Sequence, residues 1–493
     1  MLIEQEQPGK VVGWGPRMGM VALGVIVCLG LAVRVRQYAA MPSFWYDEAY
    51  LLVNVFDKSY RELAGTLRCD QAAPPLFLWA LRGLYVWVGP SEWVMRLPAF
   101  VASVLALLVF FPLARKVAGE PGWMWAVGFC AVSHHAMTHA VEVKPYTLDL
   151  LMGSLLLLMA SGMLTAEADS PARNRWWAGL LGVAWLGPWL SYPSVFLLGG
   201  ASLALAMDAW EKKTRRAWLA WGSLNGLALL SVAAVGLLSA RHQRTRSLEE
   251  YWNHAFLDLS SVEGVVPWTL QYLVKVGNYG TTSLGIPLVL LGVVGVAGMW
   301  QRSRALALLV SAPLGIAMVP NVLRLYPLDD RLLFFATPCV WLSAAAGVSY
   351  IMGRLRGRMA WVIGTALALL VVPGVVRAAT YLVVVKPKAE FREAFGLVLQ
   401  EEEVGDLWWV SHPEVAEVYL GKERRCLGAN DPPAVVVEAG RGKRIWLVVC
   451  VPEKGQVMQE GLVQALEAAG YRLRQTGQLR TMAIFCAERP SRP

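Results

Sequence analysis

Several stretches of about twenty residues carry almost no charge, and this pattern constrains the fold of the chain more than any other feature. Such a stretch is long enough to cross the hydrocarbon core of a bilayer as a helix. Charged residues make up only 16% of the 493 residues, and the mean hydropathy is +0.45. A soluble protein of this composition would have too few polar residues to cover its surface. The sequence therefore predicts a membrane protein with many spans.

Eleven segments fit this description, and we predict that each is a transmembrane helix. They lie at approximately 17–35, 95–114, 122–140, 145–165, 176–190, 193–208, 217–239, 283–300, 305–320, 331–352 and 359–381. Five of the short connections are rich in Lys and Arg, and with eleven spans all five fall on one side. Basic connections remain in the cytoplasm. We therefore expect a protein of a bacterial-type cytoplasmic membrane, with its N-terminus inside and its C-terminal region outside.

The net charge of +9 is concentrated in these five connections, which hold thirteen basic and five acidic residues. The membrane topology thus explains the excess of basic residues, and this excess does not indicate a nucleic-acid partner. Arg34 and Arg36 fall on the opposite side. We expect them to reach the membrane surface or to bind an anionic head group.

The composition of the chain changes at about residue 386. Residues 386–493 hold 15 basic and 15 acidic residues, about twice the charge density of the preceding 385. Residues 1–385 are predicted to form a transmembrane domain with outer loops at 36–94 and 240–282. Residues 386–493 are predicted to form a small extracytoplasmic α/β domain. Its predicted elements are helices at 392–402 and 459–469 and strands at 407–410, 445–449 and 482–486.

Two smaller features belong to the predicted outer side. The segment Pro75–Val88 is apolar but short for a span and contains Arg82, so it is predicted to be a helix that lies on the membrane surface. Cys450 and Cys486 each end a predicted strand. A disulfide between them is one candidate pairing, because disulfides persist outside the cell.

The first polar cluster at the predicted outer surface is Asp47 with Glu48, which follows the first span among aromatic residues. Desolvation at the membrane surface would raise the pKa of a carboxyl group towards the range that suits a general base. The alternative is a solvated acidic pair in a loop.

The second cluster follows the third predicted span. A continuous helix would place His135, His139 and Glu142 on one face, and this spacing could hold a divalent metal ion. The alternative is a polar rim at the end of the span. Asp149 lies about one turn into the next span and needs a partner, for which Lys144 or an outer-loop Arg is the natural candidate.

The third cluster ends in Arg331, at the start of the tenth predicted span. Its guanidinium could bind a phosphate through two hydrogen bonds. The alternative is a stop charge paired with Asp329 or Asp330. The three clusters thus converge on one membrane face, where a lipid-linked phosphate would lie. The sequence contains no Gly-rich phosphate loop and no serine nucleophile elbow, so it does not support an ATP-driven mechanism.

Several motifs, in their order and spacing, resemble those of GT-C glycosyltransferases, in the branch with the protein O-mannosyltransferases and the lipid A aminoarabinose transferases. The similarity runs from about residue 40 to the C-terminus. The motifs are Trp45-Tyr46-Asp47-Glu48-Ala49, Ala72-Ala73-Pro74-Pro75-Leu76-Phe77, Glu92-Trp93-Val94-Met95-Arg96-Leu97-Pro98, Glu142-Val143-Lys144-Pro145-Tyr146, Tyr326-Pro327-Leu328-Asp329-Asp330-Arg331 and the segment 391–419.

The resemblance implies a GT-C fold, a polyprenyl-phosphate sugar donor and an acceptor glycosylated on the outer face with inversion. The acceptor would be a protein, a lipid or a polysaccharide. By position, Asp47 would be the base that deprotonates the acceptor hydroxyl, and Glu48 would support it or orient the acceptor. Lys144 and Arg331 would bind the donor phosphate. Asp149 would order the site, and we expect Glu142, Tyr146 and Arg324 to support it.

The chain departs from the family pattern at two places that bear on cofactors. Ala72 and Ala73 stand where family members often have His or Glu, sometimes as a metal ligand. Lys144 stands where Arg is usual and cannot make the same two-pronged contact with a phosphate. No cofactor is firmly predicted, and a divalent metal at His135, His139 and Glu142 is the weaker hypothesis.

Two other classes of protein share this composition. A lipid or polysaccharide transporter or flippase is one, but the chain has no internal repeat of spans and no matched pair of broken helices. A non-catalytic envelope-assembly protein that uses the α/β domain for binding is the other.

Overall fold

The computed structural model describes residues 16–167, 169–259, 262–281, 283–385, 387–424, 426–451 and 460–489. Its α-helices are α1 (Pro16–Ala39), α2 (Tyr46–Asp57), α3 (Tyr60–Leu63), α4 (Pro75–Trp87), α5 (Glu92–Ala118), α6 (Trp123–Val132), α7 (His134–Thr138), α8 (Tyr146–Thr165), α9 (Pro171–Leu190), α10 (Ser194–Lys212), α11 (Arg215–Val235), α12 (Arg241–Gln243), α13 (Arg246–Tyr251), α14 (Val262–Thr281), α15 (Gly285–Arg302), α16 (Arg304–Val322), α17 (Thr337–Met352), α18 (Gly357–Ala368), α19 (Val372–Val383), α20 (Phe391–Glu401), α21 (Pro413–Leu420), α22 (Pro433–Ala439) and α23 (Glu460–Ala468). The strands are β1 (Leu407–Val410), β2 (Leu427–Gly428), β3 (Ile445–Cys450), β4 (Arg472–Gln478) and β5 (Met482–Glu488). Short 3-10 segments lie at His139–Val141, Asn253–Ala255, Asp330–Ala336 and Leu369–Val371, and a π-helical segment lies at Gly236–Ala240.

Eight helical segments in the described part of the chain are long and apolar enough to cross a membrane. They are Arg17–Ala39, Glu92–Ala118, Tyr146–Thr165, Arg215–Gln243, Gly285–Arg302, Arg304–Val322, Arg331–Met352 and Gly357–Val383. Each coincides with a predicted span. The other three predicted spans correspond to α6 with ten residues, α9 with 20 and α10 with 19. The prediction of a multi-span helical protein is confirmed, and the number of eleven crossings stays a prediction.

The third predicted span, at 122–140, is not one continuous helix. α6 ends at Val132, and a buried cation from α1 meets its last carbonyl groups: Arg34 donates to Ala131 O at 2.8 Å and to Cys130 O at 3.2 Å. The last carbonyls of a helix lack partners within the helix and carry partial negative charge. The expectation that Arg34 reaches the membrane surface is therefore wrong, because the guanidinium closes α6 from inside the bundle. Arg36, by contrast, is exposed.

We predict that Arg34→Leu destabilises the protein by roughly 2 kcal/mol, because the carbonyls at the end of α6 lose their buried donor. Thermal unfolding of the purified protein in one detergent measures the effect. Arg36→Leu is the matched control, since it removes an exposed arginine half a turn away. Equal melting temperatures for the two variants would contradict this account of the helix end.

Small residues allow the helices of the bundle to approach closely. A Cβ at Gly295 of α15 would lie 1.8 Å from the carbonyl oxygen of Ser343 in α17, and one at Gly347 of α17 would lie 2.1 Å from that of Leu291. Helices in lipid associate through such close packing, since burial from water no longer drives them together. α17, which follows the segment that carries Arg331, thus packs closely against α15.

The C-terminal α/β region, residues 387–489, contains one five-stranded sheet in the order β2-β1-β3-β5-β4. β1 runs parallel to β2 and β3, and β5 runs antiparallel to β3 and β4. The three predicted strands are confirmed as β1, β3 and β5. The two predicted helices correspond to α20 and to α23, although residue 459 lies outside the described residues. β4 was missed because it is an edge strand with mostly exposed, polar side chains.

The candidate disulfide between Cys450 and Cys486 is wrong. Both residues are free cysteines. β3 and β5 are antiparallel neighbours, so the C-terminal end of one strand lies beside the N-terminal end of the other. Cys450 is paired with Met482, and Cys486 is paired with Trp446. Two strands that each end in cysteine bring the two thiols together only when the strands run parallel.

The α/β region is seated on the end of the bundle through α2. The His412 ring stacks on Tyr46 with centroids 4.4 Å apart, and its Nδ1 is hydrogen-bonded to the Tyr50 hydroxyl at 2.8 Å. Arg68 donates to both carboxylate oxygens of Glu417 in α21, each at 2.9 Å. α2 is therefore fixed on one side by the bundle and on the other by the α/β region.

Candidate active site

The acidic pair that was expected in a loop begins a helix. α2 starts at Tyr46, so Asp47 and Glu48 occupy its first turn, where the helix dipole favours carboxylates. Both are buried, with exposed fractions of 5% and 0%. The alternative of a solvated acidic pair is therefore wrong, and each carboxylate needs partners inside the protein.

Arg96 supplies the partner of Glu48. Its Nε donates to Glu48 Oε1 at 2.9 Å and its Nη2 to Oε2 at 2.6 Å. The same carboxylate accepts the N–H of Val143 at 2.8 Å and that of Trp45 at 3.2 Å. Glu48 thus ties α2, α5 and the segment before α8 together. Both of its carboxylate oxygens are occupied by these contacts, and its expected role beside Asp47 stays a prediction.

We predict that Arg96→Met costs about 3–5 kcal/mol of stability, because it leaves the Glu48 charge buried without a partner. The double variant Glu48→Gln/Arg96→Met should recover much of this loss, since it removes both charges. Unfolding of the single and double variants under one set of conditions measures both effects. A double variant that is less stable than Arg96→Met would contradict the pairing.

Asp47 lies between two cations that come from distant parts of the sequence. Lys144 Nζ donates to Asp47 Oδ1 at 3.1 Å, and Arg331 Nη1 donates to Oδ2 at 2.7 Å. Lys144 also donates to Gln71 Oε1 at 2.6 Å. Asp47, Lys144 and Arg331 were predicted to converge, and both cations are in direct contact with Asp47.

The two cations reverse the expected pKa shift of Asp47. Burial alone would raise the pKa of its carboxyl group, but the charges of Lys144 and Arg331 outweigh burial and hold the pKa below the usual value. Burial lowers the pKa of Lys144, and the neighbouring Asp47 charge offsets part of that effect. Asp47 is therefore ionised, and its charge is compensated by Lys144 and Arg331.

The alternative in which Arg331 pairs with its neighbour Asp329 is wrong. Asp329 accepts from Lys275 of α14 at 2.7 Å, and the side chain of Asp330 lies outside the described residues. Arg331 is left to reach across to Asp47, about 280 positions earlier in the chain. α14 itself was missed, because its polar residues made residues 262–281 look like part of an outer loop.

The residues of the metal hypothesis do not form a ligand set. His139 Nδ1 is hydrogen-bonded to Glu142 Oε2 at 2.8 Å, and its Nε2 is hydrogen-bonded to the Tyr279 hydroxyl at 2.6 Å. The His135 ring instead stacks on Tyr279, with centroids 3.6 Å apart. Within the described ranges, no group of three His, Cys, Asp or Glu side chains is arranged to hold a metal. The break after α6 is the reason, because a continuous helix was needed to align the three residues.

Glu142 is held from two sides. Besides His139, the ammonium of Lys388 pairs with its other oxygen, Oε1. Burial would raise the pKa of Glu142, but Lys388 and His139 hold it well below its usual range. Glu142 thus has two partners, one from the bundle and one from the α/β region.

Three supporting residues have different outcomes. Tyr146 is buried and packs on His139, with ring centroids 4.7 Å apart. Asp149 has no ion-pair partner among the described residues and one oxygen without a hydrogen bond, so the expected Lys144 or Arg partner is wrong. Arg324 is exposed; it donates a hydrogen bond to Asn253, and its guanidinium lies over the Phe256 ring. It does not contact Asp47, Lys144 or Arg331. Lys144 is already engaged by Asp47 and Gln71, which explains why Asp149 lacks the expected ion-pair partner.

A cavity of about 640 Å³ opens beside this cluster, between the bundle and the α/β region. Arg331 forms part of its wall and connects it to Asp47, which lies buried behind. Its size and its mixture of aromatic and polar walls are typical of sites for small organic ligands. Its wall includes Trp45, Tyr46, His139, Glu142, Tyr279 and Arg331 on the side of the bundle, and Lys388, Cys450 and Thr481 on the side of the α/β region.

Several contacts of the site involve residues that were not assigned a role from sequence. Gln71 and Arg96 lay within or beside recognised motifs, which was a usable signal. Tyr279 and Lys388 had none, because their partners lie more than 130 positions away in the chain.

Comparison with known proteins agrees with this description. A family model described as dolichyl-phosphate-mannose-protein mannosyltransferase matches residues 72–236. The structure resembles ArnT from Cupriavidus metallidurans bound to undecaprenyl phosphate, with a TM-score of 0.55 and 13% identity over 96% of this chain and 98% of that one. It also resembles the oligosaccharyltransferase of Archaeoglobus fulgidus in the apo form, with a TM-score of 0.54 and 10% identity over 88% of this chain and 70% of that one. Comparison with curated proteins gives no significant match.

The chain has the GT-C fold, as its motifs predicted. Over residues 72–236 the chain is similar to the mannosyltransferase family model, and as a whole it shares the fold of these solved glycosyltransferases.

Proposed function

We propose that the protein transfers a sugar from a polyprenyl-phosphate donor to an acceptor hydroxyl on the outer face of the cytoplasmic membrane, with inversion at the sugar carbon. The observation that carries this proposal is the buried Asp47 carboxylate between Lys144 and Arg331, next to a cavity at one end of the bundle. In this proposal the α/β region, from about residue 386, is the extracytoplasmic domain. The neighbour solved with undecaprenyl phosphate supports a lipid-phosphate donor.

Lys144 and Arg331 bind the donor phosphate in this mechanism. An ammonium has three N–H donors and a guanidinium has five, which is more than the contacts with Asp47 and Gln71 use. Arg331 reaches the cavity wall, where a lipid phosphate arrives from the membrane. When the bond from sugar to phosphate breaks, negative charge grows on the phosphate, and the two cations stabilise it.

Binding of the donor also prepares the base. The phosphate competes with Asp47 for both cations, so the carboxylate loses part of their field when the donor is bound. Its pKa then rises from the depressed value of the free enzyme, and it becomes a better proton acceptor for the acceptor hydroxyl. The site is therefore inactive until the phosphate is in place.

Asp47→Asn tests the base. The amide keeps the shape of the side chain but cannot take the proton, so we predict that turnover falls by about 10²–10⁴-fold. Donor binding should be retained or tightened, because both cations lose a competing carboxylate. The assay is release of polyprenyl phosphate from a polyprenyl-phosphate sugar by the full chain in lipid nanodiscs.

Asp57→Asn is the matched control, since Asp57 lies at the other end of α2 and pairs with Arg68 at 3.0 Å. It should leave turnover close to that of the unaltered chain. Near-normal turnover by Asp47→Asn would contradict the mechanism. Release of no polyprenyl phosphate by the unaltered chain would favour a transporter or an assembly protein instead.

Lys144→Met tests how the cations act on the base. The pKa of Asp47 is lowered in the free protein, so its ionised form is lost only when the pH falls below the usual carboxyl range. Without Lys144, burial dominates and the pKa rises, so we predict that the acid limb of kcat/KM moves to higher pH. Lys275→Met, which removes one of the partners of Asp329, should leave the limb in place. An unmoved acid limb in Lys144→Met would show that another group titrates.

A further inference from the structure

Lys388 lies between α19 and α20, and its ammonium occupies a specific position in the cavity wall. It pairs with the carboxylate of Glu142, and its Nζ lies 4.0 Å from the centroid of the Trp45 ring. Glu142 is buried and is fixed on its other side by His139. The α/β region thus contributes a charged group, Lys388, to the wall of a cavity that it forms together with the bundle.

A carboxylate beside the face of an indole ring is a good binding site for an ammonium group. The carboxylate supplies a charge-assisted hydrogen bond, and the ring supplies a cation–π contact. In a cavity that takes a sugar, the ligand group with this chemistry is the protonated amine of an amino sugar. Here an ammonium of the chain itself fills the position.

The charges of the site lead to the same conclusion. Three cations, Lys144, Arg331 and Lys388, face two carboxylates, Asp47 and Glu142. Glu48 is already compensated by Arg96. The remaining positive charge suits a lipid phosphate, and neither carboxylate is left for a cationic sugar.

We propose that Lys388 determines specificity by filling the amine position formed by Glu142 and Trp45, so that the site takes donors whose sugar carries no amino group. The inference rests on the proposed function, because it assigns the cavity to the sugar of a lipid-linked donor. Its particular claim concerns selectivity between two sugars and not the chemistry of transfer.

Binding of two probes to the full chain in lipid nanodiscs tests the proposal. The probes are short-chain prenyl-phosphate glucose and prenyl-phosphate glucosamine, and isothermal titration calorimetry gives a Kd for each. The unaltered chain should bind the glucose probe at least as tightly as the glucosamine probe. Lys388→Met should shift the ratio of the two Kd values about tenfold towards glucosamine, as expected for one charge-assisted hydrogen bond.

Three further variants isolate the cause. Lys388→Gln, which is polar and uncharged, should behave as Lys388→Met does, and it serves if the methionine variant fails to fold. Lys388→Arg keeps the charge and should keep the original selectivity. In Lys388→Met/Glu142→Gln the gain for glucosamine should disappear, because the carboxylate that binds the amine is gone. Lys443→Met, at an exposed position of the α/β region, is the matched control and should change nothing.

The binding data distinguish failure of the specificity proposal from failure of the proposed function. An unchanged Kd ratio in Lys388→Met and Lys388→Gln overturns the specificity proposal and leaves the transferase function standing. A gain for glucosamine that persists without the Glu142 carboxylate also overturns it. Failure of both probes to bind the unaltered chain contradicts the proposed function, and the specificity proposal falls with it.

Discussion

The contact between the Asp47 carboxylate and its two cations is the interaction on which the arrangement of this end of the molecule depends. A carboxylate with 5% of its surface exposed is stable as an ion only with partners. Those partners come from the segment before α8 and from the start of the tenth predicted span, so three parts of the chain must meet at one point. The Glu48–Arg96 pair lies directly behind and fixes the first turn of α2, which carries Asp47.

In the proposed mechanism, the same contact lets one site hold a base and a phosphate-binding pair. Two cations beside a carboxylate keep it ionised, and an arriving phosphate would share them. The α/β region completes the arrangement from the other side, because it holds α2 through His412 and Glu417 and closes the cavity with Lys388. Its contribution to the site is therefore direct as well as architectural.

Much of this could be predicted from the sequence, because the strongest signals are local. Long apolar runs located the helices of the bundle, and short apolar runs in the more charged C-terminal region located β1, β3 and β5. The motifs around Asp47, Lys144 and Arg331 indicated a common site. What could not be predicted depends on pairings between distant positions: Arg34 with the end of α6, Lys388 with Glu142, and Lys144 with Asp47, which leaves Asp149 without an ion-pair partner. The antiparallel direction of β3 and β5, which excludes the Cys450–Cys486 disulfide, likewise has no local signal.

The most direct test of the central claim is an experimental structure of the full chain in nanodiscs with polyprenyl phosphate. We predict phosphate oxygens within hydrogen-bond distance, about 2.7–3.2 Å, of Lys144 Nζ and of the Arg331 guanidinium, with Asp47 released from at least one of them. A phosphate bound at another place, with both contacts of Asp47 intact, would contradict it.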